Sequence, residues 1–206
     1  LTGQLSLLML IEDMERQGIH VKSANTDGIV CLFDKREYEL FKTIVIDWEL
    51  TTGFDLEETH YKALYSRDVN NYLAVEPDGS HKGKGLFAIG GLAKTPTGNI
   101  IQRSVIEMIL NGTPIEDTIN ASTDLRDFIV SRGVTGGGVW REQYLGKVVR
   151  WVFATDGDPI LYKKNGNKVA TSDGAMPMMD IGELPETLDR DKYIAAANKL
   201  LTQIGY

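Results

Sequence analysis

The string Ser23-Ala-Asn-Thr-Asp-Gly-Ile-Val30 places a carboxylate where it could hold a cation. β-prone residues flank an Asn/Asp/Gly cluster, the pattern of a tight β-hairpin. Asp27 falls at the tip, with Thr26 and Gly28 letting the turn close. An oxygen ligand at the end of a two-stranded ribbon is aimed more reproducibly than one on a loop, and it suits a hard divalent ion. Taken alone, Asn-Thr-Asp-Gly is also simply good turn sequence. A second string, Tyr65-Ser-Arg-Asp-Val-Asn-Asn-Tyr-Leu-Ala74, sets Tyr72 on a strand-like run, with Arg67 and Lys62 as nearby cations. A third, Lys82-Gly-Lys-Gly85, puts two lysines among glycines, whose missing side chains let a phosphate backbone come close. It is neither a P-loop nor a dinucleotide fingerprint. The three histidines and Cys31 show no metal-ligand spacing, and Cys31 lies in an apolar strand run that reads as core. Trp140 and Trp151 could stack on bases, but packing is the expected job of each.

These residues need a scaffold. Residues 4–17 are strong helix formers with Leu7, Leu10, Ile11 and Met14 at the spacing of one buried face, and Gly18 is the expected stop. The spacing predicts the hairpin next, then a helix over 35–49. A strand-like run covers 60–75, Pro77-Asp-Gly79 makes a turn, and a return strand covers 84–89. Residues 93–98 read as loop and mark the internal boundary. Beyond it, helices are expected over 99–111 and 114–132, a flexible stretch over 134–139, and a hairpin around Asn165-Gly166 within 148–169. A closing helix over 189–204 has Asp189 as its N-cap.

The chain has 206 residues, 42% of them hydrophobic, which is enough for a packed core and excludes wholesale disorder. One cysteine cannot form an internal disulfide, so a stapled secreted scaffold is excluded and a reducing compartment is expected. No apolar run approaches the roughly 18 residues of a membrane span, and no signal peptide is legible. The net charge of −7 conceals a division. Residues 12–59 hold twelve Asp/Glu against five Lys/Arg, and residues 62–103 hold six Lys/Arg against three Asp/Glu. An acidic block suited to cations thus precedes a basic block suited to phosphates. The chain begins with Leu1 inside a helix-forming run, and the expectation is a longer protein cut at this point.

The first third resembles the palm of family B DNA polymerases, particularly bacteriophage-like members. There a helix leads into a hairpin bearing Tyr-Gly-Asp-Thr-Asp-Ser, matched here by Ser23-Ala-Asn-Thr-Asp-Gly28. Gly3 to Glu12 is similar to the segment that follows the fingers in such phage enzymes. The resemblance places Asp27 on the family's essential second Asp, a ligand of the catalytic Mg²⁺ (or Mn²⁺) ions. Asn25 stands for the first Asp, keeping an oxygen and losing a charge, and with Thr26 it completes the implied metal set. Asn70-Asn71-Tyr72 lies where the family carries a Lys-x-Tyr motif that grips the primer terminus. Tyr72 matches, Asn70 replaces the Lys, and Arg67 would supply the charge. Lys82 and Lys84 match a Lys-Gly pair that the family carries after this hairpin. From Asn99 onward the chain is similar to the family's thumb, with Arg132, Arg141, Lys147 and Arg150 as candidate contacts to duplex DNA.

The implied fold is α+β, with antiparallel palm hairpins packed on helices over 1–92, followed by a mainly helical thumb with a β-hairpin over 93–206. The implied activity is that of a DNA-directed DNA polymerase, two-metal nucleotidyl transfer onto a primer 3′-hydroxyl. The implied partners are primer-template DNA, dNTP and the N-terminal half of the polymerase, with no membrane, in a bacterial or phage-infected host cytoplasm. The family's first motif, Asp-x-x-Ser-Leu-Tyr-Pro, is absent from this sequence, as are its fingers motif and exonuclease carboxylates. The isolated chain is therefore expected not to polymerise. The alternative is a non-catalytic nucleic-acid-binding or replication assembly module sharing the palm hairpin, favoured by the charges lost at Asn25 and Asn70. A reverse-transcriptase-like palm would carry paired Asp residues at the hairpin, and Asn25-Thr-Asp27 argues against it.

Overall fold

A computed structural model describes residues 2–91, 96–180 and 182–205. The architecture is α+β, with antiparallel hairpins packed on helices. The chain divides into two compact units, Leu1–His81 and Lys82–Tyr206. The division falls within a short strand, earlier than the boundary read from the loop residues at 93–98.

In the first unit, helix α1 (Thr2–Arg16) buries Leu7, Leu10 and Met14 on one stripe. Gly18, at φ 86°, turns the chain out of the helix, a backbone conformation that costs glycine nothing. Strands β1 (His20–Ala24) and β2 (Ile29–Leu32) pair antiparallel, with a bulge between Val21 and Ser23. A capping box follows. The Asp34 carboxylate accepts the Arg36 N–H at 2.9 Å, and the Asp34 N–H donates to Glu37 at 2.8 Å. That box launches a 3₁₀ turn and then helix α2 (Tyr38–Thr52). The Trp48 indole N–H donates to the Ser6 carbonyl at 2.7 Å, tying α2 to α1. Leu7, Leu10, Met14, Ile19, Ile44, Val45 and Trp48 form one core, against which Val21, Ile29 and Cys31 pack. The hairpin thus has its inner side chains on the helices and its tip in solvent.

The run over 60–75, read as one strand, is two: β3 (Ala63–Asp68) and β4 (Asn71–Val75), antiparallel about a turn at Val69-Asn70. Asp68 closes that turn with its own side chain, as only the structure reveals. Strand β5 (His81–Lys84) is displaced from the strand expected at 84–89. Gly85, at φ 60°, instead turns the chain into a 3₁₀ turn over Gly85–Phe87.

In the second unit, helix α3 (Asn99–Asn111) follows the expected bounds. Of the loop expected over 93–98, residues 93–95 lie outside the described residues, whereas Pro96 to Gly98 run against Ile129 to Ser131 with backbone hydrogen bonds. The helix expected over 114–132 breaks into α4 (Ile115–Ala121) and α5 (Leu125–Phe128). The break is Ser122-Thr-Asp124, whose side chains bond locally. Ser122 donates to Asp127 at 2.7 Å and Asp124 caps α5 by accepting the Arg126 N–H. Strand β6 (Val130–Trp140) then pairs with β7 (Gln143–Asp158), absorbing the stretch over 134–139 that the glycines suggested was flexible. Two of those glycines are tightly packed. A Cβ at Gly137 would strike the Tyr144 ring, and one at Gly138 would crowd Val149 and Ile160.

Strands β8 (Leu161–Tyr162) and β9 (Ala175–Pro177) complete a sheet of order β8-β6-β7-β9. Asn165-Gly166 makes a tight turn after β8, but the long hairpin of this unit turns at Arg141-Glu142. The β content therefore reaches further than the sequence pattern suggested. Helix α6 (Arg190–Gln203) starts on Asp189, whose side chain accepts the Lys192 N–H at 3.0 Å. Its Tyr193 is fully buried, donates to the Phe128 carbonyl at 2.7 Å and accepts the Phe153 N–H at 2.9 Å, pinning the helices to the sheet. Among the described residues, no helix is long and apolar enough to cross a membrane.

Candidate functional site

Residues 25–28 join the two strands, and a loop of that length is commonly built on a type I turn, whereas two-residue turns need φ > 0 at a central residue. None of residues 25–28 adopts it. Asn25 closes this turn instead. Its N–H donates to the Gly28 carbonyl at 2.9 Å, and its side-chain oxygen accepts the Asp27 N–H at 2.8 Å. Gly28 supplies no left-handed backbone, and its carbonyl shares the closure with Asn25. Asp27 and Thr26 are exposed, and the Asp27 carboxylate has no hydrogen-bond or ion-pair partner among the described residues. A ribbon packed on two helices thus presents one uncommitted carboxylate to solvent.

That donor set fits a divalent ion only in part. Mg²⁺ is commonly held by one or two carboxylates, with waters and substrate phosphates filling an octahedron of oxygens. Asp27 supplies one such oxygen donor. The Asn25 side-chain oxygen accepts one hydrogen bond within the turn, and among the described residues no group of three or more His, Cys, Asp or Glu is placed to hold a metal. A metal pair at this tip needs a further carboxylate from outside the turn.

A groove of about 490 Å³ runs beside the tip, lined by Leu5, Leu7, Leu8 and Ile11 of α1 and by Ala24, Asn25 and Thr26. Leu5 is 58% and Leu8 49% exposed. Reading the sequence for a single apolar stripe missed this face. The signal was present, because residues 5–11 are apolar almost all round and a helix covered on one side needs only a stripe.

The second candidate string occupies the β3–β4 turn. The Asp68 carboxylate accepts the Asn70 N–H at 2.9 Å, the Asn71 side-chain amide at 2.7 and 3.0 Å, and the Arg67 guanidinium at 2.9 Å. These donors, the Asn71 amide foremost, hold the Asp68 carboxyl down at about 2. Asn70 and Asn71 thus build the turn, and Arg67 is paired with Asp68. Tyr72 is half-buried on β4, opposite Ser66.

Lys82 and Lys84 are exposed on either side of Gly83. The sequence suggested that this glycine makes room for a phosphate. In the structure the room is taken by the chain itself, since a Cβ there would overlap the Phe87 carbonyl. Arg141 lies in the β6–β7 turn at φ 45°, donates to Asp158 at 2.5 Å and to the Asp156 carbonyl at 2.6 Å, and stacks over Trp140. Arg132 donates to the Ala170 carbonyl at 3.1 Å. Both arginines are committed to their own unit. Trp151 is fully buried, consistent with packing, whereas Trp140 is half-buried and donates to the Asp158 and Ala175 carbonyls. Cys31 is half-buried, and burial pushes its thiol up to about 11, so it is no ready nucleophile.

Comparison with known proteins gives no matching family model and no match among curated sequences.

Proposed function

We propose that this chain is the second part of the palm, together with the thumb, of a DNA-directed DNA polymerase resembling family B. The observation that carries the reading is Asp27, an exposed and uncommitted carboxylate on the tip of a ribbon seated on α1 and α2. It occurs in the string Ser23-Ala-Asn-Thr-Asp-Gly28, which resembles the family's third motif. In this reading Asp27 contributes one oxygen to a pair of Mg²⁺ or Mn²⁺ ions, and the first-motif carboxylate comes from the N-terminal half of the polymerase. The bound ions supply a lowered pKa at the primer 3′-hydroxyl and charge neutralisation on the dNTP triphosphate. The protein's own share is positioning, and Asp27 suits it because the hairpin fixes its backbone. Exposed Lys82 and Lys84 are the candidate contacts to the primer-template backbone, where affinity is largely electrostatic. The apolar groove beside the tip is suited to the remainder of the palm.

The test is primer extension with Mg²⁺ or Mn²⁺ after mixing this chain with a separately made N-terminal half. Extension that disappears with Asp27→Ala supports the reading, and the chain alone is expected to give none. A folded and associated pair that does not extend overturns it. That result would favour the second reading, a replication or nucleic-acid-binding module without catalysis. The absence of a carboxylate cluster among the described residues is the observation on that side.

A further inference from the structure

Six junctions in the chain set an Asn or Asp before a Gly: Asp27-Gly28, Asp78-Gly79, Asn111-Gly112, Asp156-Gly157, Asn165-Gly166 and Asp173-Gly174. At such a junction the glycine nitrogen, unshielded by a side chain, can attack the side-chain carbonyl carbon before it and close a five-membered imide. The reaction needs a free nitrogen, a side chain free to swing over it and a backbone free to turn. The fold withholds at least one of these at five junctions. The Gly79, Gly112 and Gly166 N–H groups donate to the carbonyls of Glu76, Met108 and Tyr162 at 3.0, 3.1 and 2.8 Å. Both Asp173 carboxylate oxygens accept from Lys168, at 2.7 and 2.8 Å. Gly157 lies within strand β7, packed so closely on Gly174 that a Cβ would overlap its carbonyl. At Asp27-Gly28 both reacting groups are uncommitted. The exposed carboxylate has no partner, and the Gly28 N–H has no acceptor, among the described residues.

We propose that Asp27-Gly28 is a site of spontaneous isoaspartate formation in the folded protein, favoured over the other five junctions because the fold leaves both of its reacting groups free. The Gly28 nitrogen bonds to Cγ of the protonated Asp27 carboxyl, and the carboxyl hydroxyl leaves as water with the amide proton. A second water then opens the imide. Opening at the side-chain carbonyl restores aspartate, and opening at the main-chain carbonyl leaves the chain running through the side chain. One water leaves and one returns, so no other reactant is needed. In the isoaspartate the backbone gains one carbon and the free carboxylate sits directly on Cα. Asp78 and Asp173 are poorer partners for ring closure. Their carboxyls are held below the ordinary range, Asp78 first by the Ser80 side chain and Asp173 first by Lys168, which keeps them ionised. The consequence for catalysis, displacement of a candidate ligand, rests on the proposed reading of Asp27, whereas the chemistry does not.

The experiment ages the full chain for weeks at about pH 6, where a small fraction of an ordinary carboxyl is still protonated. One sample is folded and one is held in guanidinium, and both are then digested with trypsin. Isoaspartate in the peptide Ser23–Lys35 keeps the original mass, follows a species lighter by one water, and is located by electron-transfer fragmentation. In the folded chain it is expected to form several-fold faster at Asp27 than at Asp78 or Asp173, and in guanidinium at comparable rates at all three. Gly28→Ala is expected to slow it several-fold, because a methyl group shields the nitrogen. That variant keeps its fold, since Gly28 lacks a positive φ and a Cβ there meets nothing within 4 Å. Equal rates at the three aspartates in the folded chain, or an unchanged rate in Gly28→Ala, would overturn the inference. Aged chain that carries isoaspartate at 27 yet extends a primer at full rate with the N-terminal half upholds the inference and removes the reading of Asp27 as a ligand.

Discussion

In the β1–β2 turn the order is Asn25-Thr-Asp27, and in the β3–β4 turn it is Asp68-Val-Asn70. Each first residue lends a side-chain oxygen to the N–H of the third. Because the order of Asn and Asp is reversed, the same geometry leaves one carboxylate free and occupies the other. Asp68 collects Asn70, Asn71 and Arg67, whereas Asp27 collects nothing among the described residues. The two hairpins also differ in support. The first is seated on the core formed by α1 and α2, and the residues of β3 and β4 are not part of that cluster. Whether an aspartate at a turn is a candidate ligand or part of the masonry therefore depends on which residue closes the turn.

The largest expected difference between the two turns is in catalysis. On the proposed reading, primer extension by this chain mixed with the N-terminal half should fall about 10³-fold or more with Asp27→Ala, because several kcal/mol of transition-state charge stabilisation would go with it. Asp68→Asn should retain most of the rate. Equal losses would break the comparison. Next comes support. Leu10 is fully buried under the first hairpin, and Leu10→Ala should destabilise the first unit by about 2–5 kcal/mol. Hydrogen exchange should then rise across β1 and β2 more than across β3 and β4, and uniform loss would show that one core serves both.

A smaller effect concerns pH. The Asp68 carboxyl sits at about 2 in the folded chain against an ordinary 3.8, so its stabilising contribution is present above pH ~4 and fades as pH falls towards 2. Asp68→Asn should lower the melting temperature at pH 7, and the gap to wild type should close near pH 2. A gap that persists there would mean the charge is not what stabilises the turn. Smallest of all is Leu8→Ser in the groove beside the first tip. With Leu8 49% exposed, stability of the isolated chain should move by no more than about 0.5 kcal/mol. Association with the N-terminal half, measured by titration calorimetry, should nevertheless weaken, and unchanged affinity would detach the groove from that interface.

Much of the scaffold was legible in the sequence. The apolar spacing of Leu7, Leu10 and Met14, the capping residue Asp189 and the turn at Asn25–Gly28 each follow from local chemistry that acts within a few residues. The helix expected over 114–132 was not legible, because its apolar periodicity runs on while Ser122-Thr-Asp124 diverts the backbone through side-chain bonds to Asp124 and Asp127. Glycines 137 and 138 were misread for a related reason. Composition records the freedom of a glycine, but only the partner strand reveals that the Tyr144 ring and the Val149 side chain fill the space left by its missing Cβ. The candidate ligand Asp27 could be named from sequence, and so could the lysines at 82 and 84.

What the sequence determined by itself is therefore the positions of charges and the local elements that carry them, since helix stripes, caps and turn residues act over a few positions of chain. The tertiary structure decided which of those charges are still available. Arg141 is spent on Asp158 and the Asp156 carbonyl, and Arg132 on the Ala170 carbonyl. Hydrogen bonding depends on distances of about 3 Å between groups that sequence order alone does not bring together.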